Sequence, residues 1–300
     1  MKNFALIGVG GYIAPRHLRA IRDTGNRLVA ALDKNDSVGI LDAYFPEADF
    51  FTEFERFDRH LDKIRRKGLQ IDYLSVCSPN YLHDAHIRFG LRIGSHVICE
   101  KPVVLNPWNI DALVSMEAET GRKAYTLMQL RLHPRIRALK EKISQAPEGK
   151  KYSVSLQYIT ARGHWYFSSW KGDLSKSGGI ATNIGIHFFD LLLWIFGPVV
   201  HSRVSQHDAQ TASGILELQR ATVDWKLSID AQYLPASVRT EGKRTYRNLS
   251  VDGESLEFSE GLEDLHTEAY RQILEGKGFP ISEAKASIEL VHQIRNQYTL

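Results

Sequence analysis

Through the first 128 residues short apolar runs alternate with helix-length amphipathic segments, and few folds accept that rhythm. Apolar runs at 4–7, 28–32, 72–77, 95–99 and 124–128 read as strands. Segments 14–22, 54–67, 80–91 and 107–120 read as helices, with glycines 25, 68, 94 and 121 at or just beyond their ends. Strands and helices in this order build a parallel sheet with right-handed crossovers. The expected fold class is α/β, opening with a doubly wound parallel sheet over residues 1–128.

Near residue 129 the rhythm changes. A helix begins at His133-Pro134, and from Lys151 onward alternating runs dominate: 152–158, 199–205, 214–218, 221–229, 246–251 and 255–258. They predict a large, mostly antiparallel open sheet with one face covered, in a second α/β domain at 129–300. Helices at about 262–275 and 283–297 close the chain. The segment 160–179 reads as a long loop whose aromatic residues argue against disorder. An exposed sheet face in this half predicts a homo-oligomer, a dimer or tetramer.

Composition excludes several classes. The net charge of +3 comes from 38 basic residues dispersed among 35 acidic ones, so no nucleic-acid footprint forms. Cys77 and Cys99 stand near the ends of buried strands and read as small apolar residues, not as a disulfide scaffold. The chain enters a strand directly after Met1 and carries no run long enough to span a bilayer. A cytoplasmic protein without membrane contact is expected.

Gly8, Gly10 and Gly11, with Tyr12 and Ile13, lie between the first strand and the first helix. There, backbone N–H groups at a helix N-terminus meet a dinucleotide pyrophosphate. The spacing departs from G-x-G-x-x-G, since Ile13 holds the third position. Asp33 ends the second strand and suits the adenosine ribose hydroxyls, which favours NAD over NADP. Lys34 beside it would tolerate a phosphate, and Asp33 also suits a turn with Asn35. Ser78, Asn80 and His83 form another loop at the same rim, placed to contact the nicotinamide side of the cofactor, and Asn80 is equally suited to capping a helix.

Glu100-Lys101-Pro102 follows the apolar run 95–99 and places a lysine at the carboxyl rim of the sheet, where ligands bind. In the second half, Asn183, His187 and Asp190 recur at i, i+4 and i+7 of a helix, beside an apolar stripe of Ile184, Phe188, Leu191 and Ile195. An imidazole there suits a general base, and a lysine suits a developing alkoxide. Lys101 and His187 are the expected catalytic pair of a hydride-transfer site between the two domains. Either could take the hydroxyl proton. The histidines show no metal-ligand spacing, so no metal is expected.

Taken together these motifs resemble the glucose-fructose oxidoreductase/inositol dehydrogenase family (Gfo/Idh/MocA) along essentially the whole chain. The resemblance implies a Rossmann domain binding NAD, an open-sheet C-terminal domain that commonly forms the oligomer interface, and an active-site lysine at Lys101 with His187 as its partner. Asn183 stands where the family more often has Asp, which suits an anionic substrate. With 80–84, 129–134 and 165–173, the chain is similar to the WlbA/WbpB branch, which oxidises C3 of UDP-N-acetylglucosaminuronic acid on the way to surface polysaccharide. That similarity implies a UDP-sugar uronate held by Lys101, Arg131, Arg162, Tyr166, Lys171, Asn183 and His187, with Arg131 on the carboxylate. The cofactor-facing set then includes Tyr12, Ile13, Lys34, Asn35, Glu100, Lys101, Gln129 and Trp165. Two other readings stay open: a dehydrogenase of another sugar or polyol, and a non-catalytic NAD-binding regulator.

Overall fold

The computed structural model describes residues 1–256, 258 and 264–297. It contains two compact units. The first comprises Met1–Val104, Trp108–Gln129 and Glu263–Ala284; the second comprises Leu105–Pro107, Leu130–Leu262 and Lys285–Leu300. The sequence reading assigned all of 129–300 to one domain. The chain instead returns to the first unit near its end.

In the first unit, strands β1 (Asn3–Ile7), β2 (Arg27–Leu32), β3 (Asp49–Phe51), β4 (Tyr73–Val76), β5 (His96–Cys99) and β6 (Ala124–Thr126) form an all-parallel sheet in the order β3-β2-β1-β4-β5-β6. Its centre is buried on both faces, as a parallel sheet between helices requires. Strand β3 and the short helix Ile40–Tyr44 were absent from the sequence reading; three residues carry too little periodicity to mark a strand. Helix His83–Arg92 packs so closely that a Cβ on Gly90 would stand 2.5 Å from Val97 Cγ2. The helix Leu265–Leu274 lies against Ala14–Asp23, and Tyr270 stacks on Phe4 of β1.

In the second unit, β7 (Tyr152–Thr160), β8 (Val199–His207), β9 (Thr211–Leu218), β10 (Ala221–Ser228), β11 (Thr245–Val251) and β12 (Glu254–Ser255) run in the order β12-β11-β7-β10-β9-β8. Only the β7–β10 pairing is parallel among these described strands. Of the strand expected at 255–258, residue 257 lies outside the described residues, as do 262 and 263 of the expected helix. The segment Leu174–Phe196 is apolar enough and long enough to pass for a membrane span, yet 78% of its most apolar window is buried within the protein. Phe189 in this stretch meets Trp225 of β10 edge to face, so the apolarity serves the core.

Candidate active site

The first unit presents the carboxyl ends of its parallel strands. Gly8 follows β1 at φ +92°, and a Cβ there would lie 2.6 Å from the Cys77 carbonyl carbon, so only glycine lets the turn pass the neighbouring strand end. Gly11 N–H donates to Gly8 O at 3.0 Å, and the helix begins at Ala14 with Ile13 as its N-cap. Tyr12 is 91% exposed. Gly10 N–H donates to Asp33 Oδ2 at 2.9 Å, and Asn35 N–H donates to Asp33 Oδ1 at 2.9 Å. Asp33 therefore both shapes the turn and stands at the end of β2, the position suited to ribose hydroxyls.

The loop after β4 is tied to the loop after β5 by a buried histidine. His83 Nδ1 lies 2.7 Å from Pro102 O and its Nε2 lies 2.7 Å from Ser78 O. Burial pushes this imidazole's pKa down, against the pull of the two carbonyls and Glu100. Both ring nitrogens are thus committed to the protein. The sequence reading gave His83 to the cofactor; the structure gives it a cross-linking role. His86 Nδ1 meets Ser78 Oγ at 2.8 Å, and burial lowers His86 to about 4. Asn80 and Gln129 are buried, and Gln129 Oε1 has no hydrogen-bond partner among the described residues.

Lys101, itself half-buried, stands two residues beyond the end of β5, and the Lys101–Pro102 peptide is cis. Glu100 beside it is buried, accepting from His17 Nε2 at 2.9 Å and His266 Nε2 at 3.0 Å on one oxygen. Burial alone would raise this carboxyl, but the two histidines together hold it well below the usual carboxylate range. Cys77 and Cys99 are buried thiols whose pKa is pushed up by burial, which leaves them inert.

The second unit carries the other expected residues. Ala181–Gly185 forms a π-helical turn, and Ile186–Phe196 continues as α-helix. The π turn holds Asn183; His187 lies in the first α turn, and both are half-buried. Such turns recur at functional sites because they re-aim a side chain inside a continuous helix. Asn183 Nδ2 donates to the hydroxyl of Tyr166 at 2.9 Å. Tyr166 is only 2% exposed, so it backs Asn183 and is not the open substrate contact expected from the resemblance. Trp165 is 52% exposed, and Lys171 Nζ sits 5.8 Å from the centre of its ring and 4.6 Å from that of Trp170. Burial, then the nearby Arg162, lowers the Lys171 pKa. Arg162 itself is exposed.

Arg131 requires a different role from the one expected. Its Nε and Nη2 donate to Asp190 Oδ2 and Oδ1 at 2.9 and 2.7 Å, and both side chains are buried. The carboxylate that matches its planar fork is internal. The pairing commits both Asp190 carboxylate oxygens to a guanidinium.

Comparison with known families decides the lineage. The family model described as an oxidoreductase family, NAD-binding Rossmann fold, matches residues 2–127, and the companion C-terminal alpha/beta domain matches 140–300. The chain belongs to the Gfo/Idh/MocA oxidoreductase family. Among solved structures of this family, the WlbA (WbpB) dehydrogenase of Thermus thermophilus is 52% identical, with 98% of this chain and 95% of that chain covered. Its TM-score is 0.95 for the complex with NAD and alpha-ketoglutarate and 0.94 for the complex with NAD and UDP-GlcNAcA. D-glucoside 3-dehydrogenase of Escherichia coli is 29% identical over 46% of this chain. The matched stretch spans 40% of that relative and less than half of the next two curated relatives. The cofactor of the Gfo/Idh/MocA Rossmann domain is NAD. The residues here fit it: a glycine turn that tolerates no side chain at Gly8, an acidic strand end at Asp33, and a buried amide oxygen at Gln129 lacking a described partner.

Proposed function

We propose that this chain is an NAD-dependent dehydrogenase that oxidises the C3 hydroxyl of UDP-N-acetyl-D-glucosaminuronic acid to the 3-keto sugar, in the biosynthesis of diacetamido-uronic surface polysaccharide. The observation that carries the reading is the 52% identity over 98% of the chain to a dehydrogenase crystallised with NAD and UDP-GlcNAcA. The E. coli relative, named a 3-dehydrogenase, supports oxidation at C3.

NAD supplies the hydride acceptor when bound. The protein's task is then to hold the hydroxyl, remove its proton and stabilise the charge that develops on oxygen. Lys101 and His187 are the proposed pair. An ammonium donates hydrogen bonds to the oxygen that becomes negative, and an imidazole takes a proton near neutral pH. Asn183, backed by Tyr166, offers an amide to sugar hydroxyls without adding negative charge near an anionic substrate. Arg162 and Lys171 provide cations for pyrophosphate or carboxylate, and Trp165 an exposed aromatic face.

The alpha-ketoglutarate complex of the Thermus protein supports a second step in this chain, in which a 2-oxo acid takes the hydride back and regenerates NAD. We also propose a cytoplasmic homo-oligomer. In support, the sheet face bearing Ser153, Gln157, Thr222 and Asp224 is exposed within the chain.

The test is mass spectrometry of purified protein for carried-over NAD(H), followed by UDP-GlcNAcA addition with absorbance read at 340 nm. Lys101→Ala and His187→Ala should retain NAD and lose turnover. A wild-type protein that ignores UDP-GlcNAcA but oxidises a sugar without UDP would redirect the assignment to that sugar.

A further inference from the structure

A buried carboxylate in an apolar interior needs donors, and Glu100 draws them from two distant parts of the chain. His17 lies on the helix Ala14–Asp23 and His266 on Leu265–Leu274, both buried, and each places Nε2 within 3.0 Å of Glu100 Oε1. The second oxygen of Glu100 accepts the backbone N–H of Lys101 at 3.3 Å.

The hydrogen bonds have a fixed direction. An ionised carboxylate only accepts, so Nε2 of both histidines carries hydrogen. Burial pushes the His17 pKa down, so its Nδ1 keeps a lone pair and accepts from the Tyr270 hydroxyl at 2.7 Å. The Tyr270 proton is then committed, and Ser75 donates to the Tyr270 oxygen at 2.7 Å. The chain reads Ser75, Tyr270, His17, Glu100, with His266 as a second arm.

A network like this is costly to bury, and apolar side chains of similar volume would pack at least as well. What it supplies is a fixed position for Glu100 and, through the carboxylate's contact with the next residue's N–H, for the backbone of Lys101. We propose that His17 and His266 are positioning residues for Lys101, acting through Glu100, with Tyr270 and Ser75 orienting His17. The inference rests on the reading of Lys101 as a catalytic group.

The experiment compares full-length His17→Leu and His266→Leu with His17→Gln and His266→Gln, assayed with NAD and UDP-GlcNAcA. The leucine variants should lose about 10- to 100-fold in kcat, the scale of a small misplacement of a reacting group. Their KM for NAD should stay near wild type. Glutamine presents an amide N–H on a similar arm and should recover most of the loss. Folded leucine variants with wild-type kcat would overturn the proposal.

Should the leucine variants fail to fold, Tyr270→Phe decides. It keeps the ring against Phe4 and removes only the hydroxyl, and a kcat within twofold of wild type counts against the network. Ring 15N shifts give a readout independent of turnover: a neutral His17 with hydrogen on Nε2 is expected at pH 7, and an imidazolium there would refute the order of the hydrogen bonds. Lys101→Ala, run alongside, separates the two ideas. Full activity in that variant overturns the role of Lys101 itself. An inactive Lys101→Ala beside fully active histidine variants overturns the present inference alone.

Discussion

Gly10 and Asp33 are joined by a backbone N–H to carboxylate bond of 2.9 Å, so the glycine turn and the acidic strand end form one device. A Cβ at Gly10 would stand 3.2 Å from that carboxylate. Removing the carboxylate should loosen the turn and delete the proposed ribose contact together. Asp33→Ala is expected to weaken NAD binding roughly 10- to 100-fold, the scale of hydrogen bonds to a charged group. Titration calorimetry with NAD and NADP checks it, and the preference between the two should narrow because a negative charge is gone.

The Arg131–Asp190 pair predicts a stability effect with a characteristic non-additivity. Arg131→Met takes the guanidinium away from the buried Asp190 carboxylate, which should cost about 3–5 kcal/mol. Arg131→Met with Asp190→Leu should cost clearly less than the sum of the single changes. Urea denaturation of the three variants reads this directly, and additive losses would show that the pair is not coupled.

Acid should destabilise the first unit before it reaches the ordinary carboxylate range. His86 is lowered to about 4, chiefly by burial, and His17 and His83 are also lowered. A histidine with a depressed folded pKa binds fewer protons folded than unfolded. Its contribution is complete above the unfolded value near 6.5 and is lost as pH falls towards the folded value. Glu100, held low, adds a loss of the same sign at more acidic pH. Melting temperature should therefore drop between about pH 6.5 and 4, and His86→Gln should flatten part of that slope.

Tyr166→Phe tests the support behind Asn183. The ring stays buried and only the hydroxyl partner is lost, so stability should change by about 1 kcal/mol. Turnover on the UDP-sugar should fall several-fold with NAD binding unchanged. Steady-state kinetics in both substrates would show whether the effect lies on the sugar side.

Much of this architecture was legible in the chain because parallel strands buried on both faces leave continuous apolar runs. The glycine turn, Asp33 and Lys101 could be placed at strand ends for the same reason. Three features were not legible, each for a physical cause. Arg131 looked like a carboxylate binder because composition cannot reveal that its carboxylate is Asp190, 59 residues away. The π turn holding Asn183 has no periodicity of its own and hides inside an apolar helix. His266 and Tyr270 lie on a helix that returns to the first unit, and local spacing carries no trace of a partner 166 residues distant.

That return has a consequence for how the protein is made. Synthesis delivers Glu100 long before the helix that bears His266 and Tyr270, so on the ribosome the N-terminal sheet must wait with its carboxylate half-satisfied. The nucleotide unit is completed only when the chain has been made as far as Ala284. A fragment ending at Gln129 contains every sheet strand of that unit and still lacks part of the network around Glu100. Cutting the Rossmann half free at Gln129 therefore removes groups that hold the strand end bearing Glu100.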